Sequence, residues 1–123
     1  MSTDNVFVDL DVDAASVGAL PAGSALLVLD RGPGAGRRFV LDRDTTVVGR
    51  SDSDIVLDGV TVSRRHAEFR RQGETFVVVD VGSFNGTYLN RSAVDMATLD
   101  DGDEIQIGKF RLIFHAGRPG GDS

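Results

Sequence analysis

The chain has 123 residues, of which 41% are hydrophobic and 26% are charged, a length and composition typical of one compact domain with a real core. Cysteine is absent, which excludes disulfides, thiolate chemistry and cysteine-ligated metals and fits a reducing cytoplasm. The formal net charge of −6 argues against a nucleic-acid binder that relies on broad neutralisation of phosphates.

The two ends of the chain are predicted to be tails. Residues 1–23 are acidic: they hold four aspartates and no lysine or arginine, and we expect a flexible tail there. Residues 117–123, rich in glycine, are expected to be a disordered C-terminal tail. We therefore expect one ordered domain over residues 24–116.

This central region is predicted to be all-β. Nine short segments are rich in β-branched residues or alternate in polarity, and turn signals such as SDSD and GSFNG separate them. They are SALLVLD (24–30), RRFVL (37–41), TTVVG (45–49), DIVL (54–57), HAEFRR (66–71), TFVVVDV (75–81), TYLN (87–90), DEIQIG (103–108) and FRLIFH (110–115). The pattern indicates an antiparallel sandwich or barrel.

The stretch RGPGAGRRF (31–39) has the glycine content of a phosphate-binding loop. It lacks the Gly-Lys-Ser/Thr ending of a P-loop, and no helix is predicted to follow it. Its position between two predicted strands favours a hairpin turn.

Ser63 and His66 lie close together in VTVSRRHAEF (60–69) and raise the alternative of a Ser/His hydrolase. Such a site needs a third group to orient the imidazole, and Asp80 could supply the carboxylate. However, no strand–elbow–helix G-x-S-x-G motif is present. With only two histidines and no cysteine, no metal site is expected either, and no cofactor is indicated.

Capture of an anion fits the sequence better. Arg50 closes a predicted strand, Ser63 and Arg64 occupy one inter-strand loop, and residues 83–85 occupy another. Loops gather at the two ends of a sandwich, so these three can converge. Guanidinium and hydroxyl donors suit the three acceptor oxygens of a phosphate monoester.

The motifs GR (49–50), SRRH (63–66) and GSFNGTYLN (82–90) resemble those of the forkhead-associated (FHA) domain, a phosphothreonine-binding module. The resemblance covers roughly residues 24–116 and implies a β-sandwich of about eleven strands. It implies phosphate contacts from Arg50 and Ser63 with Arg64 beside them, and a hydrogen bond from Asn85 to the ligand's main chain. The implied scaffold residues, which shape the loops, are Gly49, His66, Gly86 and Asn90.

Phe84 departs from the family pattern, since many FHA domains have a small hydroxyl residue there. A side-chain contact of the usual kind is therefore in doubt at this position. Two alternatives remain: Phe84 offers an apolar surface to the ligand or partner, or it packs into the sandwich.

Longer segments, including residues 20–42, 51–70 and 78–95, resemble the actinobacterial family of glycogen accumulation regulators and oxoglutarate dehydrogenase inhibitors. The resemblance implies a metabolic regulator that binds 2-oxoglutarate dehydrogenase and glutamate-metabolising enzymes directly and is controlled by Ser/Thr kinases. We expect a non-enzymatic, cytoplasmic monomer. The alternative within the FHA family is an adaptor in kinase signalling to cell-wall or secretion machinery. No nucleic-acid or membrane partner is expected.

In that family a phosphorylated tail threonine folds onto its own FHA site and blocks partner binding. The family tail carries two adjacent threonines after a glutamate, whereas this tail has only Thr3, followed by Asp4. Val6 lies three residues after Thr3, the spacing that FHA domains commonly read. Thr3 is thus a candidate phosphorylation site and self-ligand; a variant without the switch or a shortened chain would also explain the difference.

Overall fold

The computed structural model describes residue 20 and residues 23–117. The described residues do not include the predicted N-terminal tail with Thr3, apart from residues 20 and 23. They also do not include the predicted C-terminal tail after residue 117. Within the described part all regular structure is β-strand. No helix in this part is long and apolar enough to cross a membrane.

The described residues form eleven strands. They are β1 Ala25–Arg31, β2 Arg38–Leu41, β3 Thr45–Gly49, β4 Ile55–Val56, β5 Ala67–Gln72, β6 Thr75–Asp80, β7 Thr87–Leu89, β8 Ser92–Val94, β9 Met96–Thr98, β10 Glu104–Ile107 and β11 Phe110–Ala116. All nine predicted strands are present, and no end differs from the prediction by more than one residue. The strands β8 and β9 were not predicted.

The strands form two sheets, in the orders β9-β6-β5-β3-β4 and β2-β1-β11-β10-β7-β8. The predicted β-sandwich is confirmed. Its pairs are antiparallel with one exception among the described strands: β3 and β4 run parallel, with Val48 opposite Ile55 and Gly49 opposite Val56. The five-stranded sheet is therefore mixed.

Alternate residues of the strands face inward and form one core between the sheets. Leu27 and Leu29 of β1 and Phe69 of β5 are fully buried, and Phe114 of β11 is 2% exposed. The Phe114 ring lies at a tilt against Phe76, with 6.0 Å between the ring centroids. Burial of each such side chain stabilises the fold by roughly 1.5–3 kcal/mol. The shared core therefore holds the two sheets in one relative position, which determines the strand ends that lie together.

The glycine-rich stretch makes a turn between β1 and β2, as predicted. The N–H of Gly36 donates to the carbonyl of Leu29 (2.7 Å), and the N–H of Leu29 donates to the carbonyl of Arg37 (2.8 Å). The backbone polar groups of this segment are thus used within the hairpin.

Three other loops meet at one end of the sandwich, and they are named here by their position. Loop A (residues 50–54) joins β3 to β4, loop B (57–66) joins β4 to β5, and loop C (81–86) joins β6 to β7. The N–H of Arg50 donates to the carbonyl of Ser63 (2.9 Å), which joins loop A to loop B. The predicted convergence of these loops is confirmed.

Candidate functional site

Loops A and B approach each other so closely that only glycine fits at the end of β3. A Cβ on Gly49 would lie 1.9 Å from the carbonyl oxygen of Arg64. The same carbonyl lies within 3.5 Å of the Ser53 hydroxyl. Gly49 therefore brings Arg50, the next residue, against the backbone of loop B. Its predicted role as a scaffold residue rests here on a close backbone contact.

The Ser63 hydroxyl is positioned by loop C. Its oxygen accepts a hydrogen bond from the N–H of Phe84 at 2.9 Å. A hydroxyl has one donor and two acceptor lone pairs, so this bond orients the oxygen and leaves its proton available to an outside acceptor. Ser63 is half-buried and faces the junction of the two loops.

Arg50 and Arg64 supply the positive charge of the site. Both are exposed, and neither guanidinium has a hydrogen bond or ion pair within the described part of the chain. By contrast, the neighbouring Arg65 pairs with Glu68 at 3.5 Å. The two guanidiniums, without a partner in the described part, stand on the joined loops that also carry the Ser63 hydroxyl, and all three are groups that suit an anion.

His66 joins loops B and C from inside the domain. It is fully buried. Its Nδ1 accepts a hydrogen bond from the N–H of Ser63 (3.1 Å), and its Nε2 lies 2.8 Å from the carbonyl oxygen of Gly86. A carbonyl can only accept, so Nε2 carries the proton and Nδ1 is the acceptor. Both ring nitrogens are therefore bound to backbone groups.

This geometry does not support the hydrolase alternative. The His66 Nδ1 bonds to the backbone N–H of Ser63, whereas a base would have to bond to its hydroxyl. Asp80, the candidate third member, bonds to loop C instead of the imidazole. The three residues are close together but are not arranged as a triad.

Asp80 organises loop C. One carboxylate oxygen accepts from the N–H groups of Gly82 (2.8 Å) and Ser83 (3.0 Å), and the other accepts from the hydroxyls of Ser83 (2.5 Å) and Thr87 (2.7 Å). Burial alone raises the pKa of Asp80, but the hydrogen bonds from Ser83, Thr87 and Gly82 outweigh it and hold the pKa below its ordinary value of 3.8. The ionised carboxylate is thus the form that shapes the loop.

Asn85 lies at the outer edge of loop C and is exposed. Its Nδ2 donates to the carbonyl of Thr61 in loop B at 2.9 Å. One amide N–H is used for this bond, so the side-chain oxygen and the second N–H remain for a ligand. Gly86 follows with φ +91°, a conformation that favours glycine and presents its carbonyl to His66.

Phe84 is 93% exposed, so the alternative in which it packs into the sandwich is wrong. Sequence reasoning missed a second apolar residue: Val60, in loop B, is 92% exposed. The bonds of Phe84 to Ser63 and of Asn85 to Thr61 hold the two loops together, so both apolar side chains are exposed on the joined loops that also carry Ser63 and Arg64. The signal for Val60 in the sequence was its place next to the site residues in loop B.

Asn90 lies at the other end of β7, away from the three loops. Asn90 and Arg91 have φ +48° and +74° and form the two-residue turn of the β7–β8 hairpin. The Asn90 side chain accepts from the N–H of Glu104 (3.0 Å) and donates to Asp103 (3.1 Å). It is a scaffold residue of this hairpin. Within the described residues, no group of three or more His, Cys, Asp and Glu is placed to hold a metal ion.

The model of the FHA domain family matches residues 46–108, which include loops A, B and C. An oxoglutarate dehydrogenase inhibitor from Corynebacterium jeikeium is 65% identical over 105 residues, covering 85% of this chain and 73% of that protein. The glycogen accumulation regulator GarA from Mycolicibacterium smegmatis is 66% identical over 108 residues, covering 87% of this chain and 68% of that protein. GarA from Mycobacterium tuberculosis is 64% identical over 107 residues, covering 86% of this chain and 66% of that protein.

Solved structures give the same picture. An FHA domain from a study of phosphothreonine-dependent interactions superposes with a TM-score of 0.71 at 35% identity, covering 77% of this chain and 98% of that chain. Mycobacterium tuberculosis EmbR, in complex with a low-affinity phosphopeptide, superposes with a TM-score of 0.70 at 33% identity, covering 81% of this chain and 26% of that chain.

Proposed function

This chain belongs to the FHA domain family, and we propose that it binds phosphothreonine in protein partners through Arg50, Ser63, Arg64, Phe84 and Asn85. The observation that carries the proposal is the state of the three donors: two guanidiniums without a partner in the described part and one hydroxyl whose proton is free. They stand on loops A and B, which are joined by the hydrogen bond from the N–H of Arg50 to the carbonyl of Ser63.

The phosphate is bound by charge-assisted hydrogen bonds. Each is worth roughly 1.5–3 kcal/mol, and a few of them together with contacts to the peptide correspond to about micromolar affinity, on the order of −8 kcal/mol. Asn85 supplies the contact to the peptide main chain and so fixes the register of the ligand. Phe84 and Val60 add an apolar rim that contacts a neighbouring side chain of the partner.

We propose further that the chain is a non-enzymatic regulator that docks on 2-oxoglutarate dehydrogenase and glutamate-metabolising enzymes. The names of relatives with about 65% identity, an oxoglutarate dehydrogenase inhibitor and a glycogen accumulation regulator, support a metabolic role. In this proposal the protein acts in the cytoplasm as a monomer, and its ordered domain spans residues 24–116.

Control by a Ser/Thr kinase forms the regulatory part of the proposal. Thr3 is the candidate acceptor, because Val6 stands three residues after it. Once phosphorylated, Thr3 occupies the site around Ser63 and displaces the partner. Kinase treatment followed by NMR should then shift the amides of Arg50, Ser63 and Asn85. Phosphorylation of Thr3 without such shifts would contradict this part.

The binding site is tested by calorimetry with a phosphothreonine peptide. Arg50→Ala and Ser63→Ala should each weaken binding at least about tenfold, because each removes a charge-assisted bond to phosphate. Arg70→Ala is the control: Arg70 is also an arginine that reaches the surface, but it pairs with Glu68 within β5 of the five-stranded sheet. Normal binding by either site variant would show that the assignment is wrong.

The partner is tested by affinity capture from cell extract with the full chain and its Arg50→Ala variant. Recovery of 2-oxoglutarate dehydrogenase with the unaltered chain, and its loss with Arg50→Ala, is the expected result. Recovery of cell-wall or secretion components instead would favour the alternative, an adaptor in kinase signalling.

A further inference from the structure

The outer face of the six-stranded sheet carries a second group of cations, away from Arg50 and Arg64. The register places Arg31 of β1 opposite Arg111 of β11, and Arg111 opposite Gln106 of β10. Gln106 in turn lies opposite Tyr88 of β7. These four residues form a row that crosses the strands.

This row borders a groove, called here the basic groove, with a cavity of about 260 Å³. Its lining is formed by Arg31, Arg91, Glu104, Gln106, Lys109 and Arg111. Four cations thus face one carboxylate from the lining itself. Asp30 is the only further acid in direct contact with the groove's arginines among the described residues, and it pairs with Arg111.

The remaining cations of the basic groove are unpaired. The side chains of Arg31, Arg91 and Lys109 have no hydrogen bond or ion pair within the described part of the chain, although the chain has 19 acidic residues and only 13 basic ones. Several arginines elsewhere do find carboxylates: Arg43 pairs with Asp54, and Arg71 with Asp44. Among the described residues, cations without a carboxylate partner thus lie mainly in loops A and B and in this groove, with Arg37, which lies over the Phe39 ring, as a further example.

The basic groove adjoins the end of the sandwich that holds loops A, B and C. The N–H of Lys109 donates to the Thr61 hydroxyl of loop B at 3.1 Å. At the other edge, the Tyr88 ring lies next to Gly86 of loop C, since a Cβ on Gly86 would be 3.4 Å from that ring. A partner held at the loops can therefore reach the groove without crossing the domain.

We propose that the basic groove is a second anion-binding surface, which takes an extended acidic segment of a protein partner and does so without phosphothreonine. Arg31 and Arg111 are neighbours on adjacent strands, whereas Arg91 and Lys109 lie in the turns at opposite ends of the four-residue strand β10. At about 3.4 Å per residue, the cations of the groove therefore extend over roughly 14 Å, the length of about four extended residues. Charges spread over this distance match carboxylates along a peptide better than one compact anion. The proposal goes beyond the phosphothreonine site and does not depend on it.

The direct test is an NMR titration of the full chain, labelled with ¹⁵N, using an unphosphorylated eight-residue peptide of alternating Glu and Ser. The amides of Gln106, Lys109 and Arg111 should shift, whereas those of Ser63 and Asn85 should not. Raising the salt should weaken the binding, since exposed charges are screened. Shifts confined to Ser63 and Asn85 would overturn the proposal, because the peptide would then be using the phosphate site.

Matched variants distinguish binding at the basic groove from a general effect of the protein's net charge. Arg31→Gln combined with Lys109→Gln should weaken binding of the acidic peptide about tenfold, as expected for two charge contacts across an interface. Arg43→Gln combined with Arg70→Gln removes the same charge outside the groove, from the β2–β3 turn and from β5, and should leave binding unchanged. Equal losses in the two double variants would contradict a specific groove.

Two further measurements complete the test. Arg50→Ala should retain the acidic peptide while losing a phosphothreonine peptide, so that failure of one proposal can be told from failure of the other. An oligothymidine of eight nucleotides should bind more weakly than the acidic peptide. It carries a negative charge at each phosphate, and the acidic residues around the groove repel these charges. Tighter binding of the oligonucleotide at Gln106 and Arg111 would assign the groove to nucleic acid and overturn the proposal.

Discussion

At the scale of single residues, His66 shows how a group that looks reactive can be structural. Its imidazole is buried and bonds to the backbone of Ser63 and Gly86. Buried polar groups are stable only when they are hydrogen-bonded, and here both nitrogens are. The imidazole thus fixes the distance between loop B, which carries the Ser63 hydroxyl, and loop C, which orients that hydroxyl.

Replacement of His66 is therefore expected to affect stability. His66→Ala leaves the Ser63 N–H and the Gly86 carbonyl without their partner and opens a cavity, so we expect the free energy of unfolding to fall by about 3 kcal/mol. Urea denaturation measures this. His115→Ala is the control and should cost under about 1 kcal/mol, because His115 is only half-buried and its contact with Asp101 is partly exposed. Equal losses in the two variants would contradict the scaffold role.

At the scale of elements, the contact between β3 and loop B depends on Gly49. Gly49→Ala would place a Cβ 1.9 Å from a backbone oxygen that cannot turn away, so we expect a loss of stability of more than about 2 kcal/mol and weaker phosphopeptide binding. Thermal unfolding and calorimetry measure the two effects.

Gly73→Ala provides the comparison, because Gly73 lies in the β5–β6 turn with φ +64° and open space around it. It should cost only about 1–2 kcal/mol, from the left-handed backbone, and leave binding intact. A Gly49→Ala variant that bound normally would show that loops A and B can move apart without consequence.

Loop C is expected to respond to acid through Asp80. Its pKa is depressed in the folded state, so its contribution to stability is complete above the ordinary value of 3.8 and is lost as the pH falls through the lower folded pKa. Asp80→Asn should thus lower the melting temperature at pH 7, and the difference from the unaltered chain should shrink at pH 3. Asp58→Asn, at an exposed position, should change little at either pH. A difference that is as large at pH 3 as at pH 7 would contradict this account.

The sequence predicts nine of the eleven strands, including the two-residue edge strand Ile55–Val56, but misses two three-residue strands at the edges of the sheets. The segment TTVVG matched β3 over its full length because β-branched residues and a closing glycine bound it. The strands Ser92–Val94 and Met96–Thr98 have three residues each, too few for alternation to show, and they exist because β7 and β6 offer them free edges. The parallel pairing of Ile55–Val56 likewise depends on how loop A folds back.

The site was predictable to a similar extent. Arg50, Ser63 and Asn85 stand in recognisable motifs, and their loops do converge. The hydrogen bonds between loops, such as the one from Asn85 to Thr61, join residues 24 positions apart and leave no local pattern. The exposure of Val60 was also not predictable, but for a different reason. An apolar residue in a loop can belong to the core or to the surface, and only the fold decides between them.

At the scale of the whole molecule, Phe110 connects the core to the binding end. Its side chain is 2% exposed. A Cβ on Gly59 of loop B would lie 2.9 Å from its ring, and one on Gly32 of the β1–β2 turn would lie 3.0 Å away. The ring thus packs against loop B from the core side.

Phe110→Ala should reduce the free energy of unfolding by about 3–5 kcal/mol and also weaken phosphopeptide binding. Phe76→Ala is the matched variant. Phe76 is buried to a similar extent in the same core cluster, but its ring packs on Phe114, whereas that of Phe110 packs on loop B. It should lose similar stability while the folded protein binds normally, which calorimetry at low temperature can determine. Equal affinities of the two variants would show that loop B does not depend on this ring.

The hydrogen bonds that hold loops B and C to each other join groups of the chain itself. The N–H of Phe84 already meets Ser63, and the amide of Asn85 already meets Thr61. Recognition therefore requires little ordering of the protein, and most of the conformational entropy lost on binding belongs to the flexible partner. Partners that differ in sequence around the phosphothreonine should accordingly associate at similar rates and be told apart by how long each remains bound.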